Sequence, residues 1–305
     1  MYEVNNVSKI YPQMSIPALN NISFSSNNNN AIGILGSNGA GKTTLFMASN
    51  ALLSINSGDI LINNYSVKKE PNKIKQCTGL FTDKLVLYPV LTVKEVIKYF
   101  LGIYGISSKK YNYWRDWGGV KEFENRQIKH LSTGMLKKVM LLISVISKPK
   151  VLFLDEPFSG LDPVAKSDFL LLLKSLKEEE KIKLIISSHD LTETQVIVNE
   201  VVIIEKGTVI ESGEVNNLIK KYNGKKMISL YINRTPEIMD YIHKNNFEYK
   251  DSNDLIIMTF EADHLNHVLS ELGDTDKFVD IVTKEVSLDI LYNEVRKNAI
   301  HNITE

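Results

Sequence analysis

The chain has 305 residues, 43% hydrophobic and 24% charged, with zero formal net charge at pH 7. That composition fits a folded globular chain of about two domains, and it excludes the basic footprint of a general nucleic-acid or anionic-lipid binder. The single cysteine, Cys77, excludes an intrachain disulfide and reads as a buried thiol in a reducing compartment.

The N-terminal stretch MYEVNNVSKIYPQM lacks the apolar core of a signal peptide. No apolar run reaches the roughly 18 residues of a membrane span. Residues 4–11 predict a first strand and residues 18–24 a second. The four asparagines at 27–30 predict a hairpin turn. Residues 31–35 are a short buried strand, and a helix pattern runs over 43–53 after a glycine-rich turn. Residues 55–67 hold a turn at Gly58 and a strand, and 79–81 is short and apolar. A helix is predicted over 93–104, then irregular polar sequence to Lys129. A helix over 135–147 stops before Pro149. Buried strands at 151–154 and 184–187 alternate with helices at 169–180 and 191–198, and residues 201–211 form a hairpin around Lys206-Gly207. This alternation predicts an α/β domain with a largely parallel sheet over 1–222. Beyond the polar break at 223–226 come strands and helices in turn: MISLYI, a helix over 236–244, LIIMTF, a helix over 262–272, FVDIV and a helix over 288–295. Residues 225–305 therefore predict a small α+β domain. They carry an excess of acid where 1–224 carry an excess of base, which supports the same boundary.

Two motifs carry chemistry. Gly36-Ser37-Asn38-Gly39-Ala40-Gly41-Lys42-Thr43-Thr44 satisfies GxxxxGK[ST] between a strand and a helix. Glycines let the backbone amides turn inward on phosphate, and the helix N-terminus adds partial positive charge. The motif then leads one to expect Lys42 at the β- and γ-phosphates of a nucleotide and the Thr43 hydroxyl at Mg²⁺. Val151-Leu-Phe-Leu-Asp155-Glu156 is an apolar strand ending in two acids. Asp155 is placed near the metal and Glu156 where it polarises the attacking water as general base. A third stretch, Leu131-Ser132-Thr133-Gly134-Met135, opens a helix, and its turn is either a simple cap or an anion site.

Taken together, these motifs resemble the ATP-binding subunit of an ABC transporter, of the ABC-2-type exporter group. The resemblance rests on GSNGAGKTT at 36–44, LSTGM at 131–135, VLFLDEP at 151–157, SGLD at 159–162 and Ser188-His189, and covers about residues 1–222. It implies a P-loop NTPase with an N-terminal antiparallel β subdomain and a helical subdomain near 90–147. It implies two ATP-binding domains stacked head-to-tail, so that Ser132, Thr133, Gly134 and Met135 face the nucleotide of a second copy. It further implies that Asp162 bridges the two subunits, that His189 contacts the γ-phosphate and that Tyr11 stacks on adenine. The catalytic set is then Glu156, His189 and Lys42, with Thr43, Asp83 and Asp155 around the metal.

The sequence departs from the family pattern in three places. Thr133 and Met135 replace Gly and Gln of the signature. Asp83 stands where a glutamine usually joins the metal site to the helical subdomain, and it lacks that amide's donor. Lys138 stands where arginine is frequent. The aromatic run Tyr111, Tyr113, Trp114, Trp117 reads either as core or as a contact with a membrane protein. His243, His264 and His267 show no metal-ligand spacing. The resemblance implies a peripheral subunit on the cytoplasmic face of the cell membrane that powers export of a substrate, with drugs or antimicrobial peptides among the candidates, through a separate multi-spanning permease. It implies no nucleic-acid partner. A soluble ABC ATPase without a permease and a low-turnover regulatory module are the alternatives.

Overall fold

The computed structural model describes residues 1–12, 14–26, 31–188, 194–222, 227–245, 247–252, 255–273, 278–284 and 291–296. The chain divides into two compact units, Met1–Val215 and Asn216–Glu305.

The first unit holds two sheets. Strands β1 (Tyr2–Lys9), β2 (Leu19–Ser26), β4 (Ser57–Ile62) and β5 (Tyr65–Ser66) form an antiparallel sheet in the order β2-β1-β4-β5. Tyr2, Val4 and Val7 point inward from β1, and a register shift between Val4 and Val7 accommodates Asn6 at φ +50°. The second sheet has the order β10-β9-β3-β8-β7-β6. Its members are β3 (Ile32–Leu35), β6 (Thr78–Thr82), β7 (Val151–Asp155), β8 (Lys183–Ser188), β9 (Glu200–Glu205) and β10 (Thr208–Glu214). All neighbours pair in parallel except β9 and β10, the hairpin around Lys206-Gly207. Strands β3, β7 and β8 are buried along their whole length, as helices on both faces of a parallel sheet require. Helix α1 (Lys42–Ser49) packs between the sheets. There the rings of Phe46 and Tyr2 meet Phe153 edge-on at 5.3 and 5.6 Å, joining both sheets to the helix.

Helices α2 (Pro71–Cys77), α3 (Val93–Ile103), α4 (Tyr111–Trp117), α5 (Thr133–Val145) and α6 (Pro163–Glu178) complete this unit, and α7 (Val215–Tyr222) leads into the second. Helix α3 starts on a capping box of Thr92 and Glu95. Four details correct the sequence reading. Helix α2 was not foreseen, because its seven residues hold only Ile74 and Cys77 as buried positions. Helix α4 replaces the irregular stretch, because Tyr111 and Trp114 lie one turn apart and are both buried. Helix α6 begins at Pro163, well before the predicted residue 169, because Asp162 caps it and proline is compatible with a first turn. Helix α5 begins at Thr133 because Ser132 caps it. The aromatic run divides accordingly. Tyr111 and Trp114 are core, while the Tyr113 hydroxyl donates to Glu180 at 2.5 Å and the Trp117 indole to Ser175 at 3.4 Å, against the end of α6.

The second unit is a split βαβ arrangement. Strands β11 (Met227–Asn233), β12 (Glu248–Ser252), β13 (Leu255–Glu261) and β14 (Phe278–Lys284) form an antiparallel sheet ordered β12-β13-β11-β14. Strand β12 was missed because Glu-Tyr-Lys-Asp-Ser shows no apolar alternation and lies at the sheet edge. Helices α8 (Pro236–Asn245) and α9 (Leu265–Leu272) lay Ile238, Ile242, Val268 and Leu272 on Ile228, Leu230, Ile232, Ile256, Met258 and Phe260. His264 lies 4.0 Å from Glu261, and no cluster of metal-ligating side chains occurs among the described residues. The turn at 27–30, residues 191–193 of the helix expected at 191–198 and residues 288–290 of the one expected at 288–295 fall outside the described residues, and residues 195–197 form a turn where the helix was expected to continue. No helix among those described is long and apolar enough to cross a membrane.

Candidate nucleotide site

The order β3-β8-β7 sets the site at the carboxyl ends of three adjacent parallel strands, the usual ligand edge of such a sheet. In register, Ser187 of β8 stands beside Ile34 of β3 on one side and Asp155 of β7 on the other.

The chain leaves β3 and wraps through Gly36–Gly41 into α1. Gly39 and Gly41 adopt φ +81° and +110°, which side chains rarely tolerate. A Cβ on Gly36 would lie 2.3 Å from the Ile204 carbonyl oxygen, and one on Gly41 2.5 Å from that of Ala18. No side chain caps the first turn of α1, which leaves its leading N–H groups to the loop. Residues Ser37 to Thr44, Ala18 and Glu156 line a cavity of about 210 Å³. A larger cleft of about 340 Å³ lies between residues 51–55 and 67–71, with Lys68 its single charged lining residue, and none of the motif residues enters it.

Lys42 is 6% exposed. Its ammonium donates to the carbonyls of Gly36 at 2.7 Å and Ser37 at 3.2 Å, and pairs with Glu156 Oε1 at 3.3 Å. The Thr43 hydroxyl donates to Asp155 Oδ2 at 2.8 Å. The Ser187 hydroxyl donates to Asp155 Oδ1 at 2.6 Å and accepts from the Glu156 N–H at 3.0 Å. Glu156 itself holds φ +49°, a left-handed conformation unusual for a side chain of its size. Thr43 and Asp155 thus present adjacent oxygens suited to a hard cation such as Mg²⁺, beside a glycine cradle suited to phosphate. Tyr11, just past β1, meets Thr44 through a hydroxyl contact of 3.2 Å, and does not itself line the cavity. The Ser37 hydroxyl donates to Glu205 at 3.1 Å, pinning the loop to β9.

A second set is gathered elsewhere. Ser132 caps α5 by accepting from the Met135 N–H at 3.3 Å, and Ser132 and Thr133 are exposed. Asp162 caps α6 by accepting from the Ala165 N–H at 2.9 Å. The two caps abut: a Cβ on Gly134 would lie 3.0 Å from that of Ala165, and Gly160 faces Thr133. None of residues 132–135, nor Asp162, lines the cavity over the phosphate loop. Asp83 is drawn to the Lys137 ammonium at 3.3 Å, while Thr43 and Asp155 bond each other directly. Lys138 pairs with Asp168 at 2.8 Å. His189 lies outside the described residues.

Sequence reasoning missed Ser187 and Lys137. The signal for Ser187 was a pair of serines, Ser187 and Ser188, ending a fully buried strand. Lys137 gave none, because a lysine on an amphipathic helix reads as solvated.

A phosphate loop, an acid-ended neighbouring strand and a parallel sheet between them define a P-loop nucleoside triphosphatase. The family profile described as ABC transporter matches residues 19–159. A putative ABC transporter ATP-binding protein of Clostridium acetobutylicum is 32% identical over 242 residues, which is 77% of this chain and 85% of that one. The linearmycin resistance ATP-binding protein of Bacillus subtilis is 30% identical over 236 residues, 76% of this chain and 75% of that one. A solved ATP-binding subunit of an ABC transporter, 26% identical, superposes with a TM-score of 0.63 over 73% of this chain and 93% of its own. The chain belongs to the ABC transporter family. It is an ATP-binding subunit, and its activity is ATP hydrolysis.

Proposed function

We propose that this subunit works as a head-to-tail pair on the cytoplasmic face of the membrane and powers export through a separate multi-spanning permease. The observation that carries the pairing is the division of the site. Lys42, Thr43, Asp155 and Glu156 gather at the phosphate loop, while Ser132, Gly134 and Asp162 gather on a different, exposed surface. A second copy turned about a two-fold axis brings the latter set onto the γ-phosphate and gives two equivalent ATP sites.

Within one site, Gly36 to Thr44 bind the triphosphate through backbone N–H groups, with Lys42 on the terminal phosphates. Tyr11 orients the adenine by stacking. Thr43 and Asp155 hold Mg²⁺, which offsets phosphate charge when bound. Glu156, oriented by Ser187 through its N–H, accepts the proton of the attacking water. His189 is placed on the γ-phosphate by its match to the family motif alone.

The permease reading draws on exposed apolar side chains in one stretch of the chain: Val86, Tyr88, Val90, Tyr99, Ile103 and Tyr104. A concentration of large exposed apolar groups marks an interaction surface. Efflux of a toxic compound draws on the relatives, one named for linearmycin resistance and another, from Escherichia coli, as a probable multidrug transporter protein. The domain expected over residues 225–305, which falls within the second unit, is an accessory domain to this motor.

The test is affinity purification of the tagged chain from detergent-solubilised membranes of its source, with and without ATP. A co-purifying multi-spanning protein is expected. Recovery of soluble partners alone, with ATPase activity intact, would favour a soluble ABC ATPase.

A further inference from the structure

Lys137 is 3% exposed on the first turns of α5, the helix that Ser132 opens. A buried ammonium costs several kcal/mol unless its donors and charge are matched. Here they are matched by groups from two other strands. Nζ donates to the Pro157 carbonyl at 3.1 Å and reaches the Glu156 carbonyl at 3.4 Å, both just past β7. It pairs with Asp83 Oδ1 at 3.3 Å, just past β6, and stands 5.8 Å from the Phe81 ring centroid. One side chain therefore ties the signature helix to the peptide carrying Glu156 and to the loop after β6.

This arrangement has a purpose that packing alone does not supply. An apolar side chain of similar length would fill the space without the desolvation cost. It would also leave the Pro157 carbonyl without this donor, next to a residue held at φ +49°. Asp83 is 52% exposed, so its carboxylate balances the charge from the solvent side.

We propose that Lys137 is a positioning residue for hydrolysis, fixing the Glu156–Pro157 backbone to the signature helix, with Asp83 as its counter-ion rather than a metal ligand. The inference rests on the reading of Glu156 as the base. It deepens that reading by naming what aims the carboxylate. It also accounts for an acid at position 83: the acid answers a lysine at 137.

The experiment is steady-state ATPase kinetics on the full chain with Mg-ATP, for Lys137→Met, Asp83→Asn, Lys137→Gln and the double variant Asp83→Asn/Lys137→Gln. Glu156→Gln runs alongside. Misplacing the base costs kcat, so Lys137→Met is expected to lower kcat about a hundredfold, with KM for ATP little changed. Asp83→Asn alone is expected to lower kcat with an unchanged Mg²⁺ requirement. The double variant keeps an amide donor and removes both charges, so it is expected to recover kcat to within about threefold of wild type, a non-additive result. Should Lys137→Met fail to fold, Lys137→Gln and the double variant carry the same comparison. Wild-type kcat in the folded Lys137 variants would overturn the proposal, as would strict additivity in the double variant or a raised Mg²⁺ requirement in Asp83→Asn. If Glu156→Gln keeps wild-type turnover, the base assignment itself fails, and that outcome is separate from the Lys137 result.

Discussion

Lys42 and Glu156 form an ion pair of 3.3 Å, joining the phosphate loop after β3 to the acid after β7. The two residues are 114 positions apart, and only the sheet order brings them together. Replacing Glu156 by Gln keeps the shape and removes the base. Turnover is expected to fall by about 10²-fold or more while ATP binding persists. Lys42→Ala is expected to weaken ATP binding itself. Phosphate release and nucleotide titration on the two variants separate these roles, and a Gln variant with wild-type turnover would remove Glu156 from the chemistry.

Ser132 does two jobs in the proposed dimer, and two substitutions tell them apart. Ser132→Ala removes the cap that accepts from Met135 N–H and is expected to cost about 1 kcal/mol in urea unfolding. Ser132→Asp restores a good cap, so stability is expected to return. Its negative charge meets the partner's γ-phosphate, so ATP-dependent dimerisation is expected to be lost. The reading is made in a hydrolysis-defective background by sedimentation. An Asp variant that dimerises normally with ATP would exclude phosphate contact by this turn.

Gly36 and Gly39 lie in the same loop and differ in what surrounds them. A methyl on Gly36 collides with the Ile204 carbonyl at 2.3 Å, so Gly36→Ala is expected to displace the loop and lose ATP affinity. A methyl on Gly39 meets nothing within 4 Å, but the residue sits at φ +81°. Gly39→Ala is therefore expected to cost only the left-handed penalty, about 1–2 kcal/mol, with ATP affinity less affected. Thermal unfolding with and without nucleotide tests the ordering. Equal loss of affinity in both would show that backbone strain, not the carbonyl clash, dominates.

Tyr2 supplies a pH test away from the site. Its phenol is wholly buried and bonds Ser49 at 2.8 Å, and burial holds it well above its ordinary value. The unfolded phenol ionises near about pH 10. A group whose folded value is raised contributes stability below the unfolded value and loses it as pH climbs toward the folded one. Tyr2→Phe is thus expected to be about 1 kcal/mol less stable at pH 8. The gap is expected to close, then reverse, above about pH 10. Denaturant unfolding across that range checks it, and a constant gap would place the phenol in contact with solvent.

Much of the site was legible from contiguous residues because its parts are local. A phosphate cradle is made of consecutive backbone amides and needs glycine at particular φ values, so Gly36–Thr44 carries its own geometry. Asp155 and Glu156 end a run whose uninterrupted apolar character already marks a strand buried on both faces. The helix caps at Ser132 and Asp162 are equally local, although apolar periodicity by itself starts both helices too late. The alternating strands and helices specified the fold class for the same reason.

What the sequence by itself determined, then, is the set of chemical groups and the local turns that present them. Only the tertiary structure decided which groups meet. The order β3-β8-β7 set Ser187 between Ile34 and Asp155, within reach of the Asp155 carboxylate, a pairing no local pattern predicts. It set Lys137 under Glu156 and turned Asp83 toward that lysine. Long-range electrostatic pairs depend on strand order and register, which are properties of the packed sheet and leave no periodic signal along the chain.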